Sequence, residues 1–298
     1  MRAGLTQALV SCFFLLFLFI LLLGLPVATL AQVGADLPAA LPLFARQGEP
    51  VAAPSMETIL ETVRPQVVTV LDPYEKKKAE FVVLDLAEVF DAVYTPSWRE
   101  EEEVVFTCLD GYQPVIPVAR VKAHSAFLAF ARNDQAGFTI LKRESGVQKT
   151  VELAPYYVVW ENLDDAKIRM EADYGWPYQL KGVDLVRSED RFRAMTPSRG
   201  ASPQVQAGFA AFRVHCLHCH KINGVGGLIG PELNAGHRPA LSREASWLKQ
   251  WIAAPDEIRP NTRMPALNPN LPAREQTIDD LIAYLQYMAA EPPASKES

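Results

Sequence analysis

Cysteine and histidine are scarce in this chain, four and five of 298 residues. Cys12, Cys108, Cys216 and Cys219 are the whole cysteine supply. Only the last two stand close together, so no second cysteine pair exists to complete a four-ligand zinc site. Positive charge is short as well. The formal net charge of −6 leaves no basic excess to neutralise phosphates, which excludes nucleic acid as the expected partner. No internal repeat is visible. What the chain does have is apolar material: 49% hydrophobic against 21% charged residues, a globular composition with length enough for two domains.

The acidity is uneven. Residues 32–204 hold nineteen Lys/Arg against twenty-six Asp/Glu, whereas residues 205–298 hold nine of each. An acidic surface on the first part could steer a basic partner. The runs Lys76-Lys77-Lys78 and Glu100 to Glu103 read as solvated turns.

Arg2 is the only charge before Asp36, and the run SCFFLLFLFILLLGLPVATLA follows it. A basic start, a long apolar stretch and a small-residue ending make residues 1–31 an export signal, with Thr29 and Ala31 at the −3 and −1 positions and cleavage before Gln32. The competing reading is a retained membrane anchor, since Cys12 to Leu30 approaches the ~20 residues a bilayer requires. Leu9-Val10-Ser11-Cys12 resembles a lipoprotein cleavage box, but the apolar run follows the cysteine instead of preceding it, which argues against lipidation. Either way the folded part is expected on the oxidising side of a membrane, in the periplasm or its equivalent. If Cys216 and Cys219 are used together, Cys108 is left as an odd thiol there, either buried or assigned to something specific.

The chain is expected to divide into an extended leader (32–55), an α+β domain (56–197), a linker (198–204), a helical domain (205–290) and a short tail (291–298). Strand-like runs occur at 67–71, 80–84, 104–109 and 155–160, and a helix at 86–94 with Leu86, Val89, Phe90 and Val93 on one face. SRGASPQ breaks that pattern at 198–204. Beyond it, Ser202-Pro203 offers an N-cap and first-turn proline for a helix carrying Val205, Phe209 and Phe212. Ser242 is expected to cap a second helix with Trp247, Leu248, Trp251 and Ile252 inward and Pro255 ending it. Thr277 with Asp280 is expected to open a third, whose apolar stripe runs through Ile278, Leu281, Ile282, Leu285 and Met288.

The densest chemistry lies in HCLHCH, His215 to His220. Cys216-Leu217-His218-Cys219-His220 is the C-x-x-C-H pattern of covalent haem attachment. Two thiols three positions apart on a turn can each form a thioether to a haem vinyl group, which sets the imidazole of His220 beneath the iron. A thioredoxin-like pair would sit in a βαβ context, whereas this one lies among helices. For the opposite iron face the best candidate is Met264, in NTRMPAL between Pro260 and Pro265, where the prolines hold the loop. Met288 reads as core. His215 and His218 are too near the attachment site to reach over the ring, and His237 reads as a surface-loop residue. Paired His and Met ligands leave no open coordination position and raise the potential, which suits electron transfer.

From about Val205 to Ala290 the chain resembles a class I cytochrome c. The helix, C-x-x-C-H, the GPELNAG loop (230–236), a tryptophan-bearing helix, the T-R-M-P loop and a final helix come in that family's order. The resemblance implies one covalent haem c, a hydrogen bond from the His220 imidazole to the Pro231 carbonyl, and a close helix crossing at Gly208 near Tyr284 or Tyr287. It also implies redox proteins as electron donor and acceptor, with electrons leaving at the haem edge beside the attachment loop.

The first domain resembles the sulfite-oxidase-type molybdopterin fold. VFTCLDGYQPVIP (105–117) carries Cys108, Asp110, Gly111, Tyr112, Ile116 and Pro117 in the pattern in which the cysteine ligates molybdenum, and PYYVVWEN and YGWPYQLKGVDL are similar to its late strands. The resemblance implies a two-centre oxidoreductase, sulfite being the natural substrate guess, with Cys108 as metal ligand. Against this, the region is short and holds no glycine-and-basic cluster for a pterin phosphate. The favoured expectation is therefore a cofactor-free domain that docks a partner or orients the haem. His124, Arg120 and Lys122 read as surface groups.

Overall fold

Strands in the first part of the chain arise where β-branched and aromatic residues run together. The computed structural model describes residues 38, 40–144, 147–170, 175–236 and 238–290, without the side chains of Glu144, Lys167 and Met170. The expected signal or anchor with Cys12, the alternative ligand His237 and the tail 291–298 lie outside the described residues. No helix among those described is long and apolar enough to cross a membrane.

Among the described residues eleven strands precede the helical part: β1 (Leu43–Arg46), β2 (Glu49–Pro50), β3 (Gln66–Leu71), β4 (Lys78–Asp85), β5 (Glu103–Cys108), β6 (Val115–Pro117), β7 (Ala126–Arg132), β8 (Thr139–Glu144), β9 (Val147–Glu152), β10 (Tyr157–Trp160) and β11 (Leu180–Val186). Five form a sheet in the order β2-β1-β11-β5-β6, four form a second in the order β10-β7-β4-β3, and β8 with β9 makes a separate hairpin. Within the larger sheet only β1 and β11 run parallel, Leu43 opposite Gly182. The expected strands are all present. The run at 155–160 begins its pairing only at Tyr157, because Pro155 has no N–H to give a ladder. The leader departs from expectation: residues 43–50 add two strands, because Phe44 finds a place in the core and is buried.

Helices in this part are α1 (Met56–Thr62), α2 (Leu86–Tyr94), α3 (Val118–Ala123), α4 (Ala166–Met170) and α5 (Ser188–Arg191). Asp85 starts α2 by accepting from the Glu88 N–H at 3.0 Å, and the predicted face, Leu86, Val89, Phe90 and Val93, is buried. The turn between β3 and β4 is nucleated by fully buried Asp72. Its carboxylate accepts the N–H groups of Tyr74 and Glu75, both at 2.9 Å, and the Tyr157 hydroxyl at 2.8 Å. Arg120, expected at the surface, lies instead over the Trp160 indole, 4.6 Å from a ring centroid.

The helical part contains α6 (Pro203–His215), α7 (Pro239–Ser242), α8 (Ala245–Ala253), α9 (Pro255–Ile258) and α10 (Arg274–Ala290), with a two-residue ladder of β12 (Lys221–Ile222) and β13 (Val225–Gly226). Ser202 caps α6 as expected, accepting from Val205 N–H at 3.3 Å. Two caps differ. Ser242 closes α7, and Glu244 precedes α8 without a side-chain cap; Pro255 opens α9. Thr277 lies inside α10, which begins a turn earlier at Arg274; its hydroxyl bonds back to the Ala273 carbonyl at 3.2 Å. The local pattern that looked like a capping box is a helix-interior threonine, because Arg274 ties its guanidinium to the carbonyls of Ala253 (2.7 Å) and Leu267 and so extends the helix backward.

The core of this part unites Val205, Phe212, Leu217, Leu248, Ile252, Ile278, Leu281, Ile282, Tyr284 and Met288. Phe192 and Met195, which follow the last strand of the sheet, belong to the same cluster, and Val115 of β6 packs against it. Residues 198–204 are anchored too: the Tyr287 hydroxyl meets Ser198 Oγ at 3.0 Å and Gln206 donates to the Ser198 carbonyl at 2.8 Å.

Candidate haem site

Helix α6 ends at the first cysteine. The N–H of Cys216 bonds to the Phe212 carbonyl at 2.9 Å, and Leu217 bonds to the same carbonyl, so the chain tightens into a turn there. The N–H groups of Cys219 and His220 both return to the Cys216 carbonyl, at 3.0 and 2.9 Å. This single turn sets both sulfurs and the imidazole on one short segment, while the Leu217 side chain is buried as its apolar anchor.

The next loop wraps that turn closely. Gly226, Gly227 and Gly230 pass so near that a Cβ on them would collide with the His220 carbonyl, the His218 carbonyl and the His220 ring, respectively. Gly230 opens the GPELNAG loop singled out in the sequence, whereas Gly226 and Gly227 were missed; the GVGG run after the motif was the available signal. The loop is held by the Glu232 carboxylate, which accepts the N–H groups of Asn223 (3.0 Å), Gly224 (2.9 Å) and Asn234 (3.1 Å). Buried Asn234 joins it to the last helix by donating to the Met288 carbonyl at 2.8 Å.

The imidazole of His220 is oriented by one bond. Nδ1 lies 2.9 Å from the Pro231 carbonyl oxygen, which assigns that nitrogen as donor and leaves Nε2 as the lone-pair nitrogen. Burial lowers the pKa of this histidine and keeps it neutral, the form that binds a metal. Burial also pushes the Cys216 thiol up to about 12 and Cys219 to about 11. A reactive dithiol pair lowers the pKa of its attacking thiol, the opposite of the direction here. Among the described residues no group of three or more His, Cys, Asp or Glu side chains is placed to hold a metal ion.

Met264 stands in the loop between α9 and α10, its N–H bonded to Thr262 Oγ1 at 3.3 Å and its side chain partly buried against the core cluster. The positive charge of neighbouring Arg263 acts on the Cys219 thiol, opposing the rise that burial causes. Met288, by contrast, is buried in the core. At Gly208 a Cβ would meet the Asp280 carbonyl and, at 2.7 Å, Tyr284 Cβ, which is the close crossing of α6 over α10.

Cys108 ends β5 and is buried; burial, with the Asp110 charge behind it, raises its thiol far above the usual range. The structure brings its loop close to the attachment turn. Gln113 N–H donates to the His218 carbonyl at 2.9 Å, Leu228 N–H donates to the Gly111 carbonyl at 2.9 Å, and the Tyr112 ring centroid lies 5.2 Å from that of His218. The Asp110 charge raises the pKa of both Cys108 and Cys219.

The residues present fit a covalently held haem: two thiols on one turn, a neutral imidazole with a fixed tautomer, a glycine cradle that admits no side chain, and a thioether on a neighbouring loop. Residues 205–289 match the family model for cytochrome c. This C-terminal region is thus a cytochrome c domain, which supports a haem electron-transfer role and redox partners in general. No curated protein matches the chain.

Proposed function

We propose that the chain is an exported carrier of single electrons whose one haem is covalently tethered by Cys216 and Cys219 and ligated by His220 and Met264. A bound haem of this kind supplies a ferrous/ferric couple. The chain's own residues do the rest. The Pro231 carbonyl fixes the His220 ring and raises its basicity, the glycine cradle keeps side chains out of the ligand's surroundings, and the core around Phe212 and Tyr284 lowers the local dielectric. The observation that carries the reading is the His220–Pro231 bond within a C-x-x-C-H turn. Iron near one per chain, in a haem that stays with the polypeptide through acid–acetone extraction, is the expected result. Extractable haem, or colourless protein from a host competent in cytochrome maturation, would refute it.

The sheet region serves as a scaffold of sulfite-oxidase type without molybdenum that orients the haem segment and docks a protein partner. A second reading, a two-centre molybdenum/haem oxidoreductase with Cys108 as metal ligand, draws support from the contact between the turn after Cys108 and the attachment segment. Against it stand the shortness of the region and the lack of a glycine-and-basic cluster for a pterin phosphate. Export is inferred from residues 1–31, whether that segment is cut or kept as an anchor.

A further inference from the structure

The turn Leu109–Gln113 belongs to the sheet region, yet its backbone is joined to the cytochrome region at two points, one inside the attachment motif and one in the loop beyond it. Gln113 N–H donates to the His218 carbonyl, inside the C-x-x-C-H turn, and the Gly111 carbonyl accepts from Leu228, in the loop that wraps it. Gly111 stands at φ +90, and a Cβ there would sit 2.7 Å from Leu228 Cβ. The turn is itself held locally: Asp110 Oδ1 accepts from Tyr112 N–H at 2.9 Å, and Cys108 N–H donates to the Tyr112 carbonyl at 2.9 Å. Tyr112 faces His218.

We propose that Gly111, Tyr112 and Gln113 are positioning residues for the haem: they clamp segment 217–228 from outside the cytochrome region and thereby set how much water reaches the attachment side. This rests on the haem reading above and adds a physical role for the sheet region within it. The reasoning is that two hydrogen bonds and a ring contact from the sheet region pin a segment, 217–228, that contains three glycines. Water kept from a haem edge favours the less charged ferrous state, so the clamp raises the reduction potential.

The test uses the full holoprotein. Tyr112→Ala removes the ring contact while leaving both backbone bonds possible; Gly111→Ala strains the turn and forces Leu228 away. Val67→Ala, an exposed position on β3, is the control. Both clamp variants should keep one covalent haem per chain and titrate at a lower midpoint potential than the control. Amide hydrogen exchange in 217–228 should speed up by about tenfold while α10 keeps its protection, a local opening and not a global one. Potentials and exchange equal to the control in both variants would overturn the proposal. So would a uniform loss of protection across the helical region, because that is a folding defect only. Absence of haem from the unmutated protein sinks the haem reading instead, so the two failures are distinguishable.

Discussion

The hydroxyl of Tyr284, buried in the last helix, donates to the carbonyl of Met195 at 2.7 Å. Met195 follows the last strand of the sheet, so this bond crosses from one part of the chain to the other. Removing the donor leaves a buried carbonyl without this partner, a loss of about 1–3 kcal/mol. Tyr284→Phe should therefore lower the denaturation midpoint of sheet and helices together, followed by circular dichroism and by haem absorbance. Two separated transitions, with only the helical one moved, would contradict a shared core.

On the ligation proposed above, Met264→Ala should lower the reduction potential and let cyanide or carbon monoxide bind, because the proposed thioether ligand would be gone. Redox titration and ligand difference spectra read both effects. An unchanged spectrum would remove Met264 from the ligand set.

Gly208→Val places a side chain against the Asp280 carbonyl and Tyr284. Overpacking at a helix crossing typically destabilises by ~1–3 kcal/mol, and a backbone obstacle belongs at the upper end. Chemical denaturation should show that loss, whereas Gly200→Ala, with open space around the glycine, should leave the midpoint in place.

Arg213 pairs with Glu103 of β5 and lays its guanidinium over the Phe192 ring, 4.4 Å from the centroid. Only 11% of the Glu103 side chain is exposed against 27% of the arginine, so the carboxylate is the partner that suffers when the pair is broken. Arg213→Ala should cost about 3 kcal/mol and Arg213→Lys less, since an ammonium can still meet the charge. Equal losses for both variants would assign the effect to packing alone.

Asp72 gives a pH test. Burial raises its pKa above the ordinary value, so the folded state holds the proton more readily than the unfolded chain. Stability from this group is fully present below the unfolded pKa and falls as pH rises through the folded one. Asp72→Asn, which can keep the Tyr74 and Glu75 N–H bonds, should gain on the unmutated protein as pH rises from 4 toward 7, pH values of order set by the carboxylate range. A stability difference that stays constant across that range would show the group does not titrate on folding.

How far the sequence could be read depended on the range of the interactions involved. The helix at 86–94 was legible to the residue because its cap, Asp85, and its apolar face are local. The attachment turn was legible for the same reason, as was the Pro231 carbonyl once the family resemblance was in hand. The start of α10 was misplaced because Arg274 is held by carbonyls of Ala253 and Leu267, which no window around Thr277 contains. The leader hid strand β1 because its partner, β11, lies far along the chain. The clamp on His218 was invisible for that reason too: nothing in CLDGYQ announces which carbonyl Gln113 will find.

The parallel pairing of Leu43 with Gly182 carries a consequence for assembly. Until β11 has been synthesised, the first described strand has only the two-residue β2 beside it. Phe192 and Met195, which belong to the core cluster of the helical part, emerge only a few residues later. If Cys216 and Cys219 take a haem as proposed, they emerge about thirty residues after β11, so the attachment segment reaches its modifying enzyme while the scaffold behind it is just setting.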